Sequence, residues 1–379
     1  MGMLVASGCG SNLLKYEKDQ SFKKIDDFES KVKIDIPADP EDSSETGAAT
    51  STSGESTSGA GSKSPKTSEP RPTATPNPAE IEAAAKVKAA DARVAKKTPP
   101  ATSKTKVPKT APKSAKTSKA KGGAVSAPAV PSRRQPELES EVGFEGRRPI
   151  KDPFRVGEKV VHQVHYFAVS AGQMTIEVKP FAQVNGKKSY HFGVGAKTSR
   201  WYSGIYSVDD KVSVLMDFET LVPSVYQLAV RETGQVKESR MLFQDGKAMF
   251  WERKVTEKHG EEENKKEWDI LDYSQNVFSA AFYLRVFDWQ VGQENAFRVA
   301  DDGENLIFRG KAIRRERIST DAGDFNAIVI QPQIELKGKF KPVGDIFIWL
   351  SDDDRKFILK IESKIKIGTL VSEVIELKP

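Results

Sequence analysis

"EKVVHQVHYFAV", residues 158–169, alternates along its length. Val160, His162, Val164 and Tyr166 fall on one side of an extended chain; Val161, Gln163, His165 and Phe167 fall on the other. Side chains of a strand point alternately to its two faces, so this stretch reads as a strand. The reading extends outward through "GQMTIEVKPF" (172–181), "KSYHFGVGAKTS" (188–199), "KVSVLMDF" (211–218), "SVYQLAVRE" (224–232), "ESRMLFQDGKAMFWERKVTE" (238–257) and "ENKKEWDIL" (263–271). Turn signals separate the runs at "SAG" (170–172), "VNGKK" (184–188), "ETG" (232–234), "QDGK" (244–247) and "KHGEE" (258–262). Asn185-Gly186 and Asp245-Gly246 are strong hairpin turns, because both residue types accept positive φ. Short strands at regular spacing predict an antiparallel meander.

One helix interrupts the pattern at "YSQNVFSAAFYLRVFDW" (273–289), with Asp272 or Ser274 as the expected N-cap. Val277, Phe278, Ala281, Phe282, Leu284 and Val286 cover more than one face. A helix apolar nearly all round is buried, so it is expected inside a concave sheet. Strands resume with "QENAFRVAD" (293–301), "GENLIFRGKAIRRERIST" (303–320), "GDFNAIVIQPQIEL" (323–336) and the stretch from Ile346 to Leu377. There is an internal echo. "FRVGEKV" (154–160) matches "WQVGQEN" (289–295), and "SAGQMTIEV" (170–178) matches "DAGDFNAIVI" (321–330). It hints at two related half-sheets. The predicted fold is mainly β: an antiparallel meandering sheet forming an open or distorted barrel, with one buried helix over about 273–287.

The first ~140 residues differ in kind. They are nearly free of aromatics, while all five tryptophans lie beyond them. A segment rich in Ser, Thr, Ala, Pro and Lys cannot bury enough apolar surface to offset its ordering entropy. Residues 37–140 are therefore expected to be a disordered linker, and 145–379 a single β domain. Within 13–36, Leu14, Phe22, Ile25, Phe28 and Val32 fall near helical spacing among many charges. Weak, transient structure is expected there. Between Lys96 and Arg134 there are eleven Lys and Arg and no acid. The whole chain is only +6, so the basic balance belongs to the linker and not to the folded part. Such a stretch suits contact with cell-wall or anionic membrane polymers. With no aromatics interleaved for base stacking, it argues against a nucleic-acid partner.

The single cysteine, Cys9, excludes an intrachain disulfide and a cysteine zinc site. Its context, "LVASGC" (4–9), resembles the lipobox of bacterial lipoproteins. That resemblance implies acylation of the Cys9 sulfur after cleavage before it. Residues 1–8 would then be the remnant of a longer signal peptide, and 9–36 the anchor and juxtamembrane segment. Gly10 in place of Asp implies an outer-membrane address in a Gram-negative envelope, facing the periplasm. Multiple acyl chains anchor stably without a spanning helix.

The residues that could carry chemistry read mostly as structure. Asp352–Asp354 with Arg355 sit between two alternating runs, where a turn is required, and Asp caps turn backbone well. The oxygen spacing of a calcium loop is absent from them. "SVDDK" (207–211) is a second Asp-bearing turn. His162 and His165 are three apart on a strand and face opposite ways, so they do not share a metal. There is no Gly-Xaa-Ser-Xaa-Gly elbow, no P-loop and no dinucleotide fingerprint. No catalytic residue, metal ligand or cofactor is assigned. The aromatics are more informative. Trp201, Tyr202 and Tyr206 beside glycine, with Phe278 and Phe282 on the helix, are the candidates for lining a ligand cavity.

Taken in order, "VGEKVVHQVHYF…SAGQMTIEV", "YSVDDKVSVLMDFETLVPSVY" (206–226), "LDYSQNVFSAAFYLR" (271–285), "TDAGDFNAIVIQP" (320–332) and "IWLSDDDRKFILKIESKIKIGTLVSEV" resemble a bacterial envelope family known as domain of unknown function 3108. The resemblance covers roughly 150–379. It implies export, a mostly β fold and no established activity. The outline is similar to the open half-barrels with helical lids of outer-membrane lipoprotein carriers and receptors, a likeness of fold alone.

The expected function is non-catalytic: a cell-envelope lipoprotein whose β domain binds an apolar ligand or a protein partner. The alternative is a structural tether whose basic linker grips wall or anionic polymers. The third reading is a hydrolase using carboxylates such as Asp209 or Asp353.

Overall fold

The computed structural model describes residues 25–37 and 138–379, apart from 167–168, 205, 337–338, 342–344 and 366–367. Cys9, the signal remnant and the Lys96–Arg134 stretch lie outside the described residues. All described residues belong to one unit, Met1–Ser43 together with Val130–Pro379.

The first elements are a single helical turn, α1 (Asp26–Glu29), and a two-residue strand, β1 (Ile34–Asp35). After the linker comes a small hairpin, β2 (Phe144–Glu145) and β3 (Arg148–Pro149). The meander follows: β4 (Lys159–Tyr166), β5 (Val169–Val184), β6 (Lys187–Thr198), β7 (Asp209–Asp217), β8 (Pro223–Glu232), β9 (Gln235–Gln244), β10 (Lys247–Thr256) and β11 (Gly260–Asp269). The helix α2 (Val277–Tyr283) leads into β12 (Glu294–Asp301), β13 (Glu304–Thr320), β14 (Gly323–Leu336), β15 (Lys339–Lys341), β16 (Asp345–Ser351), β17 (Ile358–Ile365) and β18 (Gly368–Lys378). The fold is mainly β, as the alternation predicts.

The strands form one continuous antiparallel path, β11-β10-β9-β8-β7-β6-β5-β4-β18-β17-β16-β14-β13-β12. It is two meanders zipped together. β4 to β11 form one arm and β12 to β18 the other, and the final strand joins them by pairing β18 with β4, Val374 opposite His162. The path does not close through β11 and β12. Its two edges nonetheless approach: Lys266 on β11 pairs with Asp302 at 2.5 Å, and the Asn305 amide donates to the Asp269 carbonyl at 2.9 Å.

The two arms begin with the same device. In each, Val-Gly places glycine in the left-handed region, Gly157 at φ 92° and Gly292 at φ 89°. Gly157 N–H donates to the Val178 carbonyl, and Val178 N–H returns a bond to Glu158. Gly292 N–H donates to Ala312, and Ala312 N–H returns a bond to Gln293. The echo of 154–160 in 289–295 is thus an equivalence of structure. The second echo does not line up this way: 170–178 lies in the second strand of its arm, and 321–330 in the third.

Helix α2 is shorter than 273–287, and its N-cap is neither Asp272 nor Ser274. Gln275 remains extended and bonds to β12 on both sides, its N–H to Arg298 and its carbonyl from Ala300. The helix starts only after Asn276, whose side chain accepts from the N–H groups of Phe278 and Ser279 while Ser279 returns a bond to Asn276 N–H. This capping box satisfies donors that a helix start otherwise leaves open. A 3-10 turn over Leu284–Val286 extends it, and Trp289 Nε1 donates back to the Leu284 carbonyl at 2.9 Å. Phe282, Leu284 and Val286 are buried as expected, together with Tyr283, Phe287 and Trp289, but Phe278 and Ala281 are half-buried and Val277, at the first turn, is 51% exposed.

The inner face of the sheet supplies Val160, Ile176, Phe192, Val214, Met241, Phe297 and Phe308 to this core. Phe282 stacks on Phe192 with ring centroids 4.1 Å apart, and Phe154 meets Phe192 edge-on at 4.8 Å. A second, smaller core sits on the opposite face. Leu215, Val225, Leu242 and Trp251 point outward there, and Phe28 and Val32 cover them. The segment expected to have weak, transient structure is docked over 25–35. The physical reason is that apolar side chains on both faces of β7 to β10 require cover on both.

Candidate functional site

The aspartate stretch is the connection between β16 and β17, and each carboxylate has a different partner. Asp353 Oδ1 accepts from Ser351 Oγ at 2.8 Å and from the N–H groups of Arg355 and Lys356 at 2.9 Å each. It caps the turn from inside. Asp352 takes the Arg315 guanidinium at 2.8 Å, and Asp354 takes Lys151 at 2.8 Å. The Lys151 contact holds the Asp354 carboxyl below the usual carboxylate range. A polar cleft of about 150 Å³ adjoins the turn, lined by Asp288, Gln290, Arg315, Ser351, Asp352 and Lys356 among others. Arg315 spans it, bonding Asp352 on one side and donating to the Trp289 carbonyl at 3.3 Å on the other. Among the described residues, no three His, Cys, Asp or Glu side chains gather to hold a metal ion. Asp209 begins β7 and Asp210 caps the Arg231 N–H at 3.0 Å, so "SVDDK" is again strand-entry chemistry.

The turn is tied to the interior through charge. Glu158 is 1% exposed and meets Arg285, 2% exposed, through two parallel bonds of 2.6 and 3.0 Å. Arg355 adds a third at 2.9 Å. Arg285 and Arg355 each also donate to the Pro153 carbonyl, at 3.3 and 2.9 Å. A buried ion pair is costly to desolvate, and here both carboxylate oxygens are met by guanidinium N–H groups, Oε1 once and Oε2 twice. The group joins the start of β4, the end of α2 and the β16–β17 turn. It locks the helix against the sheet. Sequence reasoning passed over Glu158 and Arg285; the signal was one arginine inside an otherwise apolar helix.

Two of the histidines, His162 and His191, are structural in geometry. His162 is fully buried; its Nε2–H donates to the Ile358 carbonyl at 2.9 Å, and its Nδ1 accepts from Ser372 Oγ at 3.0 Å. The carbonyl requires the proton on Nε2, and burial disfavours a second one, lowering the pKa to about 4. His191 Nε2 contacts Ser213 Oγ at 3.0 Å.

The five aromatic candidates fall in two places. Phe282 is sealed in the core against Phe192, and Phe278, half-buried, packs on Tyr226 with centroids 5.3 Å apart. The space between helix and sheet is filled by the protein's own rings. Trp201, Tyr202 and Tyr206 lie instead on the β6–β7 connection at the rim of the sheet. Trp201 is 57% exposed and sits 6.3 Å from the Tyr202 ring. The loop beneath it is closely bonded. Ser203 N–H donates to Ser199, Tyr206 N–H to Tyr202, and Ser207 N–H to Thr233 Oγ1 at 2.8 Å. The Tyr206 hydroxyl donates to Glu232 at 2.6 Å, and burial with that carboxylate raises its pKa. Tyr166, whose phenol is raised by burial and then by neighbouring Tyr202, and Leu370, 40% exposed, complete the rim, since Tyr166 and Leu370 are register partners.

Residues 161–375 match the family model described as "Protein of unknown function (DUF3108)", and the chain belongs to that family. No curated protein matches it. Among solved structures, a beta-barrel-like protein of domain of unknown function DUF1849 from Brucella abortus aligns at 9% identity, covering 59% of this chain and 97% of that one, with a TM-score of 0.38. An exported-protein candidate with a YmcC-like fold from Bacteroides fragilis aligns at 7% identity over 60% and 98%, TM-score 0.28. A lipoprotein candidate from Parabacteroides distasonis aligns at 12% identity over 59% and 96%, TM-score 0.23.

Proposed function

We propose that this chain is a non-catalytic module of the bacterial cell envelope, lipid-anchored at Cys9, whose β domain binds a protein partner at the rim formed by Trp201, Tyr202, Tyr206, Tyr166 and Leu370. One observation carries the reading: Trp201 is exposed beside a backbone braced by bonds from Ser203 to Ser199, from Tyr206 to Tyr202 and from Ser207 to Thr233. A braced backbone has less freedom to lose on binding than a mobile one. Trp, Tyr and Arg dominate the energetics of protein interfaces, and exposed Arg200 adjoins Trp201. The filled interior favours a protein partner over an apolar ligand held between helix and sheet. The paired aspartates support a non-catalytic reading, since each carboxylate is committed to a turn or an ion pair. The outer-membrane address rests on the "LVASGCG" pattern, and the basic linker adds contact with anionic polymers as a separate property.

The test is mass spectrometry of proteins and lipids that co-purify with native, membrane-extracted protein, for wild type and Trp201→Ser. A protein enriched with wild type and lost with the variant is expected. Enrichment unchanged by the variant, or a stoichiometric lipid retained by both, overturns the reading.

A further inference from the structure

The stretch from Ile25 to Asp35 lies outside the family match, which begins at residue 161. It has little structure of its own to offer. α1 is one turn with no side-chain N-cap, and β1 is two residues long. Isolated helices of this length do not persist in water. Their order comes from the sheet. Phe28 is fully buried and meets the Trp251 ring edge-on at 5.5 Å, and Val32 is 4% exposed. Charge fixes the position on three strands. Glu29 takes Arg240 of β9 at 2.8 Å, while Asp27 accepts from Trp251 Nε1 of β10 at 3.1 Å and pairs with Lys265 of β11. Backbone fixes the far end. Asn185 N–H donates to the Lys33 carbonyl, and Lys33 N–H donates to Asn185 Oδ1, each at 2.8 Å. β1 also extends the ladder where β4 leaves off: β4 pairs with β5 up to Glu177, and β1 takes Gln183 and Val184.

We propose that residues 25–35 are an intramolecular strap, which docks the N-terminal end of the chain on the outer face of the sheet and closes the segment 38–137 into a loop. The outer face predicts such an occupant. Leu215, Val225, Leu242 and Trp251 would otherwise present an apolar patch to water, and the strap buries all four. The cost of closing a loop rises only with the logarithm of its length, so a long excursion does not prevent docking. On the reading of Cys9 as the lipid site, the consequence is a change of scale. The leash from lipid to β domain is then about sixteen residues, roughly 55 Å when extended, instead of about 130 residues and roughly 450 Å. The domain is held close to its membrane, and the long linker does not set that distance.

The experiment uses the full chain with an affinity tag inserted after Asn12 and a specific protease site inserted between Ala101 and Thr102. The chain is bound to resin through the tag, cut and washed. With a working strap, the β-domain fragment stays on the resin after cleavage, at more than about nine-tenths of the uncut amount. In Phe28→Asp with Val32→Asp, it elutes on cutting. Arg240→Ala with Lys265→Ala, altering the domain side alone, lowers retention to an intermediate level. Elution of the wild-type fragment on cutting overturns the proposal, and so does equal retention in the Phe28→Asp, Val32→Asp variant. None of these readings depends on lipidation or on a partner at the rim.

Discussion

Two groups of aromatic residues, alike in sequence, do opposite work. Phe278 and Phe282 lie within a helix and Trp201, Tyr202 and Tyr206 within a loop, and composition alone suggested one shared cavity. The fold separates them. Phe282 is 1% exposed and stacked on Phe192, whereas Trp201 is 57% exposed. The interior rings fill the space that a carrier would leave open. Of the rim rings Trp201 stands exposed, while Tyr202 and Tyr206 are half-buried. The comparison teaches that the helix rings are taken up in holding the sheet together, which leaves the edge as the place for the proposed recognition.

The comparison breaks if interior and rim substitutions cost alike. The largest effects belong inside. Arg285→Met leaves Glu158 charged and buried with only Arg355 beside it, and should cost roughly 3–5 kcal/mol. Phe282→Ala removes a fully buried ring and should cost about the same, 3–5 kcal/mol. Urea unfolding measures both, and a loss under about 1 kcal/mol for either would show that the interior is not a locked core.

Next in size is a pH effect. The unfolded chain protonates His162 near pH 6.5, while the folded chain resists until about pH 4. Between those values the unfolded state binds more protons, so the stabilisation is complete above pH 6.5 and fades as the pH falls to 4. The difference corresponds to about 3 kcal/mol. Stability measured from pH 7 to 4 should therefore fall more steeply in wild type than in His162→Gln. Parallel curves would contradict the assignment of His162 as a buried neutral ring.

Smaller still is the turn. Asp353→Asn keeps an oxygen able to accept the three bonds that Oδ1 now accepts, so the change should stay within about 0.5 kcal/mol. Calcium or magnesium should leave the melting temperature of wild type and variant unchanged. A metal-dependent rise in wild type alone would reinstate a site at the aspartates.

Much of this architecture was legible. Period-two alternation, Asn-Gly and Asp-Gly turns and the apolar run at 277–286 led to an antiparallel sheet around a buried helix. What escaped depended on pairing at long range. The helix start moved because Gln275 found a strand partner at Val299, which no local signal encodes. The strap escaped because Phe28 and Val32 look sparse on their own. Its trace was in the strands: Val214-Leu215-Met216 and Met241-Leu242-Phe243 are unbroken apolar runs, and a strand buried on one face alone would alternate. The Glu158–Arg285–Arg355 group joins residues 70 to 197 positions apart, and only the single arginine in an apolar helix hinted at it. Trp201, Tyr202 and Tyr206 stand out in the sequence as aromatics near glycine, but their placement away from Phe278 and Phe282 follows from long-range pairing, with Tyr206 and Ser207 bonded to the β8–β9 hairpin.

The central claim is that recognition happens at the rim. Site-specific photo-crosslinking in cells tests it most directly, with the reactive side chain placed at position 201 and, as a comparison, at the exposed Lys187 on the hairpin between β5 and β6. The stability of both variants should lie within about 0.5 kcal/mol of wild type, since neither position is buried. A protein adduct of one defined mass at position 201, absent at position 187, is the result this account predicts. Identical adducts at both positions, or no protein adduct at 201, would contradict it.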